Sequence, residues 1–584
     1  MFITENNRSR HLIVVMILLV FCFMLYGGSL QNGFMIDDYS MILDLASMDH
    51  AQALLTPTRI NDFLGFDSEF AFRPVSKMIL LGFFHFFGDN PFYYHLVNVF
   101  LFSIYCFLVY ILLRRLTGSS SLSLYGCLLF CVHPINTIPV NYLSGHSIIF
   151  GILGILSLIS FLRYIETQSK TALGLSMFGY ALSLLIHESM LILPVYMVLI
   201  LIFIKKYRWR AILRVLFPYF LIGLMYVTFR LTCTLLRHNQ VLYQMSSHVL
   251  NPLTYLGTLT ELVLWYVGKL FVPDNIVFIW AIDSIPFAAA IKNIFILGVL
   301  LICFVLLIGR RRNLNSFALT WFLIGFIPLT VSCLICPVMG FFIAPHWFFL
   351  SSLGFFILGA NALVWIGRVT NRKIAGVIFL GMMAVLFLKT QGYHPIWKDQ
   401  KTYCRYWVDL SPKNPFPNLW LSAAYIEEGD YENARHFCAR AMTGEFMDWS
   451  VYSNLGFIAL QTENLSLAKS YFAKSLEINP RAALVYNNLG TVHLRENDLQ
   501  KAEEYFEKSS QMDPYLLEPR WNLADIAKRS GHRDKAMRFY EENLRIDPWD
   551  QASLYFLIEY DLENDLAKAE QLGRRLLRSR RNIK

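Results

Sequence analysis

Two adjacent carboxylates, Asp37 and Asp38, follow the first apolar run in the stretch Asn32-Gly33-Phe34-Met35-Ile36-Asp37-Asp38-Tyr39. Ionised neighbours repel, so one member of such a pair can hold a raised pKa and take a proton as a general base. The pair can also share a divalent cation through its carboxylate oxygens, or simply cap a membrane helix. Other chemistry-bearing residues stand at the ends of apolar runs or in the loops beside them: Arg73, His133, Glu188, Arg230, Lys269 and His346. Arg230 lies inside the end of its run, where a charge without a partner is expensive. Duller roles stay open for each. Arg73 can pair with loop acids, Arg230 can snorkel, Lys269 can anchor its helix at the interface, His133 can cap a proline-fixed turn, and Glu188 can serve a structural ion pair. Eight of the ten cysteines lie in apolar runs, where cysteine acts as a small hydrophobe. Cys333-x-x-Cys336 has no second ligand pair for zinc, and spacing fixes no connectivity for Cys404 and Cys438.

The elements that must position these groups are membrane helices. The chain has 584 residues, 55% of them hydrophobic and 16% charged, against about 25% charged in a typical soluble domain. The formal charge of +9 is uneven: Ser411 to Lys584 carries 23 basic against 26 acidic residues, so the excess sits in the apolar part. Basic clusters between apolar runs read as topology, not as a nucleic-acid surface. Arg8 and Arg10 put the N-terminus inside, and the uncleaved first helix, Leu12 to Gly28, delivers the Asp pair outside. A long outer loop, 31–94, holds the aromatic run Phe83-Phe84-His85-Phe86-Phe87, which suits an interfacial helix. Further crossings begin near His95, Leu122, Ser147, Thr171, Met190, Ala211, Ile291, Phe317, Trp347 and Ile374. The run 253–271 is bracketed by Pro252 and Pro273 and interrupted by Glu261 and Lys269, and reads as a re-entrant or outer-leaflet helix. With it left out, about eleven crossings keep every basic cluster on one side.

The tail repeats. Ala434, Ala468, Ala502 and Ala536 are 34 residues apart, and so are Pro480, Pro514 and Pro548. Leu455-Gly456, Leu489-Gly490 and Leu523-Ala524 keep the step, followed by Phe472, Phe506 and Tyr540. This is the tetratricopeptide pattern of small and large residues interlocking paired helices, a superhelix whose groove normally binds a partner.

Three groups of residues add a resemblance. Phe72-Arg73-Pro74-Val75, Asp89-Asn90-Pro91 and Tyr94-His95-Leu96-Val97-Asn98 form the first. Leu129-Phe130-Cys131-Val132-His133-Pro134-Ile135-Asn136, Pro139-Val140 and Leu143-Ser144-Gly145 form the second, and Gly392-Tyr393-His394-Pro395-Ile396-Trp397-Lys398-Asp399 the third. Together with the repeat tail they resemble the transmembrane-and-tetratricopeptide O-mannosyltransferases and their bacterial relatives, over nearly the whole chain. The resemblance implies an all-α, polytopic GT-C membrane domain over 1–390, a linker over 391–414, and a tetratricopeptide α-solenoid over 415–584.

It further implies that Asp37 and Asp38 are the acidic pair of the first outer loop. A sugar of mannose type would pass from a polyprenyl-phosphate donor in the bilayer to a protein hydroxyl on the outer face. One Asp would take the hydroxyl proton, and Arg73, Arg230, Lys269 and His346 are candidates to meet the developing phosphate charge. Glu188 and His133 are further site candidates. A divalent cation, if one is used, would sit at Asp37 and Asp38. His187 departs from the Lys-Glu pair expected before Glu188, and Pro345 replaces an expected acid in Ala344-Pro345-His346-Trp347, so no acidic role is carried to that position.

The resemblance places the protein in a bacterial inner membrane, N-terminus cytoplasmic and repeats periplasmic, or else in the endoplasmic reticulum membrane with luminal repeats. The partners are the lipid-linked sugar and an acceptor protein in the repeat groove, without nucleic acid. A membrane-anchored repeat scaffold and an enzyme of lipid-linked polysaccharide synthesis are the rival functions. A transporter would want ionisable residues in mid-membrane, and these runs are almost wholly apolar.

Overall fold

The computed structural model describes residues 5–35, 38, 73–143, 146–236, 252–282, 286–296, 298, 313–327, 341–442, 449–546, 548 and 550–582. Asp37, most of the first outer loop and the triplet Arg310 to Arg312 fall outside these. The described residues form two units, one running to Lys398 except for Leu81–Asp89, the other made of Leu81–Asp89 and the chain from Asp399 onward.

The membrane unit begins with α1 (Glu5–Tyr26), α2 (Pro74–Phe87), α3 (Pro91–Thr117) and α4 (Ser120–Val132). Local residues set the boundaries. Asn90 caps α3, accepting from Phe92 N at 3.1 Å, with Pro91 in the first turn. Gly118 ends that helix at φ 69°, its N–H returning to Arg114 O at 3.0 Å. Pro134 breaks the next run: α4 stops at His133, and α5 (Thr137–Asn141) continues at 58° to it. There follow α6 (Ser147–Thr167), α7 (Lys170–Ile186), α8 (Leu193–Leu199), α9 (Trp209–Leu236) and α10 (Pro252–Phe271). The short α11 (Phe287–Ile296) leads on to α12 (Leu314–Ile324), α13 (Leu353–Val369) and α14 (Arg372–Tyr393).

Among the described residues five helices are long and apolar enough to cross a membrane, or six if the bent α4–α5 pair is one span. The protein is therefore a multi-pass membrane protein. Five other expected crossings coincide with apolar helices of 10–17 residues, among them α7, α11, α12 and α13. The expected re-entrant run is the 20-residue α10, which is not among the crossing helices. One feature departs from an all-helical reading. β1 (Trp280–Ile282) pairs antiparallel with β2 (Phe341–Ile343), Trp280 opposite Ile343. Small residues let helices approach closely: Ser157 Oγ donates to Ser176 O at 2.7 Å and Ser176 Oγ returns to Ser157 O at 2.8 Å, joining α6 to α7.

The last span closes onto the first. Gln391 Nε2 donates to Met24 O and Leu25 O at 3.0 and 3.1 Å, and His394 Nε2 donates to Leu25 O at 2.7 Å. Thr390 Oγ1 donates to Val132 O at 2.7 Å, and Tyr26 OH to Cys131 O at 3.0 Å. These carbonyls end α1 and α4, where a helix has no partner of its own for them.

Residues 391–414, expected as a linker, carry structure of their own. The helix α15 (Gln400–Leu410) is capped by Asp399, which accepts from Thr402 N at 2.8 Å. Its apolar stripe is the reason: Cys404 and Val408 pack with Leu421, Tyr425, Ala434 and Cys438 in the first core cluster of the repeat unit. Cys404 and Cys438 are both buried free thiols.

Beyond α15 the repeat unit is a series of paired helices, including Trp449–Gln461 with Leu465–Ile478, and Ala483–Arg495 with Leu499–Met512. A Cβ on Gly456 would lie 2.5 Å from the Phe472 ring, and one on Gly490 would lie 2.6 Å from Phe506. The glycine is therefore demanded by the aromatic of the following helix. A second bond repeats with the same 34-residue period: Ser475 Oγ to Trp449 O (2.8 Å), Ser509 Oγ to Ala483 O (2.8 Å) and Asn543 Nδ2 to Leu517 O (3.2 Å). Replacing Gly490 by Leu should overpack the Phe506 ring and cost about 1–3 kcal/mol. A melt followed by tryptophan fluorescence should show the tail unfolding earlier; an unchanged melt would mean that the ring yields freely.

Candidate functional site

The Asp38 loop is held by polar residues at the ends of several helices. Asn32 Nδ2 donates to Asn141 Oδ1 at 2.6 Å, and Gly33 N donates to Lys398 O at 2.9 Å. His95 Nε2, buried on α3, donates to Gly33 O at 3.3 Å. Asn98, one turn further along, gives Nδ2 to Pro139 O and Val140 O at 3.1 and 2.7 Å, and so fixes the end of α5 that carries Asn141. Asp38 itself is fully buried. Its N–H reaches Met35 O at 2.8 Å, and its Oδ2 accepts from Met35 N at 3.2 Å.

A second cluster joins three sequence-distant charges. Arg73 stands just before α2, Glu188 in the break between α7 and α8, and Arg230 on α9. Arg73 grips Glu188 as a fork, Nε to Oε2 at 3.1 Å and Nη2 to Oε1 at 2.9 Å. Arg230 Nη1 approaches the same Oε2 at 3.5 Å and the Tyr226 hydroxyl at 3.5 Å. All three side chains are a little over one quarter exposed, Arg73 at 27%, Glu188 at 28% and Arg230 at 29%. Burial opposes ionisation of Glu188, but Arg73, helped by His187 and Arg230, outweighs it and holds the carboxyl well below its usual range. Two guanidinium groups thus face one carboxylate at the end of apolar helices.

His346 belongs with this cluster. Its ring is buried and lies parallel to Phe278 (8°, centroids 5.3 Å apart), with Tyr142 at 5.5 Å. Burial lowers its pKa well below the usual value, and the Arg73 charge pushes it the same way, so the ring is neutral. Its Nδ1 has no hydrogen-bond partner among the described residues.

The other expected site residues make hydrogen bonds to backbone carbonyls. His133 Nδ1 accepts from Ile135 N at 3.2 Å while Nε2 donates to Leu270 O at 3.1 Å, which occupies both nitrogens and sets one neutral tautomer. Lys269 donates to Asp274 O at 2.7 Å and sits 5.6 Å above the Trp265 ring, at the end of α10. His187 caps the turn after α7, its Nδ1 accepting from Ser189 N at 3.2 Å. The positioning roles of Asn32, His95, Asn98 and Asn141 were not legible as such, although His95 and Asn98 stand inside a quoted motif.

The human protein O-mannosyl-transferase TMTC3 is 24% identical over 476 residues, 74% of this chain and 51% of that protein. Human TMTC1, also a protein O-mannosyl-transferase, is 29% identical over 158 residues, 26% of this chain and 17% of that protein. The chain is similar to the TMTC proteins. It spans about half the length of TMTC3 and a smaller share of TMTC1. Tetratricopeptide repeat models match residues 450–514 and 517–548, so the tail is a tetratricopeptide array. Among solved structures, PilF of Pseudomonas aeruginosa overlaps 34% of this chain and 87% of that one at 18% identity, with a TM-score of 0.27. MamA overlaps 25% of this chain and 85% of that one at 19% identity, with a TM-score of 0.22.

Glu188→Gln should leave two guanidinium groups without their counter-charge and cost about 1–2 kcal/mol at this partial exposure. The sign with pH follows from the depressed pKa of Glu188. The stabilisation is fully present above the unfolded carboxyl pKa, about 4.3, and is lost as pH falls through the lower folded value. Melting curves of wild type and E188Q should therefore differ by a constant amount from pH 8 to 5 and converge only in stronger acid. Convergence already near pH 6 would contradict the ion-pair account.

Proposed function

We propose that the protein is a GT-C-type membrane glycosyltransferase that moves a sugar, mannose by family likeness, from a polyprenyl-phosphate donor to a protein hydroxyl on the outer face. The observation that carries this reading is the Arg73–Glu188–Arg230 cluster, in a chain similar to protein O-mannosyl-transferases over 74% of its length. Arg73 is fully engaged by Glu188, whereas Arg230 is the longer partner. A phosphate arriving at the helix ends would meet both guanidinium groups, which pair with phosphate oxygens as well as with a carboxylate. His346 would stand beside it as a neutral ring able to offer or accept one hydrogen bond.

In the transfer step the acceptor hydroxyl oxygen bonds to the anomeric carbon. The bond from that carbon to the phosphate oxygen breaks, and its electron pair stays on the phosphate. The hydroxyl proton passes to a carboxylate of the Asp pair, with Asp38 as the member whose loop is anchored by Asn32, Gly33 and His95. The guanidinium charge stabilises the phosphate as it departs. The repeat array would hold the acceptor protein. A bacterial inner membrane with periplasmic repeats suits this arrangement, and a divalent cation at the Asp pair is an option that the reaction itself does not require.

The decisive assay is transfer of labelled sugar from purified polyprenyl-phosphate donors in membranes. Asp38→Asn should lose about 10²–10⁴-fold in rate with an unchanged melt. Arg230→Gln should raise the donor KM more than it lowers kcat. Wild-type activity retained by D38N would remove Asp38 from the reaction. Failure of the wild type with every donor, while the repeat array still captures a partner, would favour the scaffold reading.

A further inference from the structure

Three thiols from three helices meet inside the membrane unit. Cys22 on α1, Cys106 on α3 and Cys131 on α4 are fully buried, and their sulfur atoms all lie within 4.8 Å of one another. Cys22 Sγ and Cys131 Sγ are 3.5 Å apart although the residues are 109 positions apart in sequence. Cysteines that only fill space have no reason to seek one another, because any aliphatic neighbour serves. The separation is too wide for a disulfide, whose sulfurs stand about 2.05 Å apart. It does suit three sulfurs around one soft ion: with metal–sulfur bonds of about 2.3 Å, a flat three-coordinate centre spaces its sulfurs by about 4 Å.

We propose that Cys22, Cys106 and Cys131 form a three-coordinate site for a single Cu(I) ion. Softness and ligand number both select that ion. Thiol sulfur prefers Cu(I), Zn(II) or iron–sulfur clusters, and the latter two ask for four ligands in structural sites. Among the described residues no fourth His, Cys, Asp or Glu atom joins the group. Cys127 is the nearest in sequence, and it donates instead to Cys106 O at 3.1 Å. Each sulfur coordinates as the thiolate, so binding releases three thiol protons to bulk water and moves no electron. The site joins α1 to α4, the same two stretches tied further along by Asn32 and Asn141, so a bound ion stiffens the helix that leads into the Asp38 loop.

The test uses the full-length protein in detergent, loaded anaerobically with Cu(I) as its acetonitrile complex and then washed with a Cu(I) chelator. Equimolar copper should remain, with sulfur-only ligation by X-ray absorption and a raised melting temperature. Cys106→Ser and Cys131→Ala should each retain at least tenfold less copper, and their melts should not respond to it. Cys127→Ala, which removes a neighbouring thiol outside the trio, should bind as the wild type does. Copper-free melts of each variant separate a lost ligand from a lost fold. Retention of copper by C106S, equal loss in C127A, or formation of a Cys22–Cys131 disulfide in air with no copper uptake under anaerobic loading would each overturn the proposal.

Discussion

A helix that ends within or near hydrocarbon must find partners for its last carbonyls, because no water is there to take them. Much of the membrane unit is an answer to that constraint. The end of α1 is met by Gln391 and His394, the end of α4 by Thr390 and Tyr26, and the end of α5 by Asn98. The end of α10 is met by His133. Each donor comes from a helix far away in sequence, so the bonds that satisfy the backbone also assemble the bundle. First span and last span are thereby joined, although 366 positions separate Leu25 from Gln391.

The candidate site hangs on this scaffold. The Asp38 loop follows α1 and is fastened six and seven residues beyond Tyr26, at Asn32 and Gly33. His95 adds a third hold on the same loop. The charged cluster uses a different device. Glu188 sits at a break between helices, which frees its carboxylate to face two guanidinium groups at once. A partly buried charge trio of this kind is a poor stabiliser compared with apolar packing, since desolvation consumes most of its Coulomb energy. It does hold two arginines, distant in sequence, against one carboxylate.

The two units solve the packing problem with different chemistry. In the membrane unit, serines and glycines bring α6 and α7 together and exchange hydrogen bonds, because lipid is as apolar as the helices and burial alone does not drive association. In the repeat unit, water drives burial, and a ring such as Phe472 or Phe506 fills the space left by a glycine one helix earlier. The second contact of each repeat, from Ser475, Ser509 or Asn543, ties the second helix of a pair to the start of the first.

The apolar runs, the 34-residue step and the proline-fixed turn at Pro134 were legible in the chain, because periodicity and proline geometry act over a few residues. The motifs around His95, His133 and His394 were legible as patterns, and their work as donors to distant carbonyls was not. His133 and Lys269 carried the right residue types for a site, and packing places both at the end of α10. Arg73 and Glu188 stand 115 positions apart, and only the fold brings them within hydrogen-bond distance. The meeting of Cys22, Cys106 and Cys131 is of the same kind. Local order follows from the identity of near neighbours along the chain, whereas the pairing of single polar side chains depends on how whole helices pack, which no local pattern records.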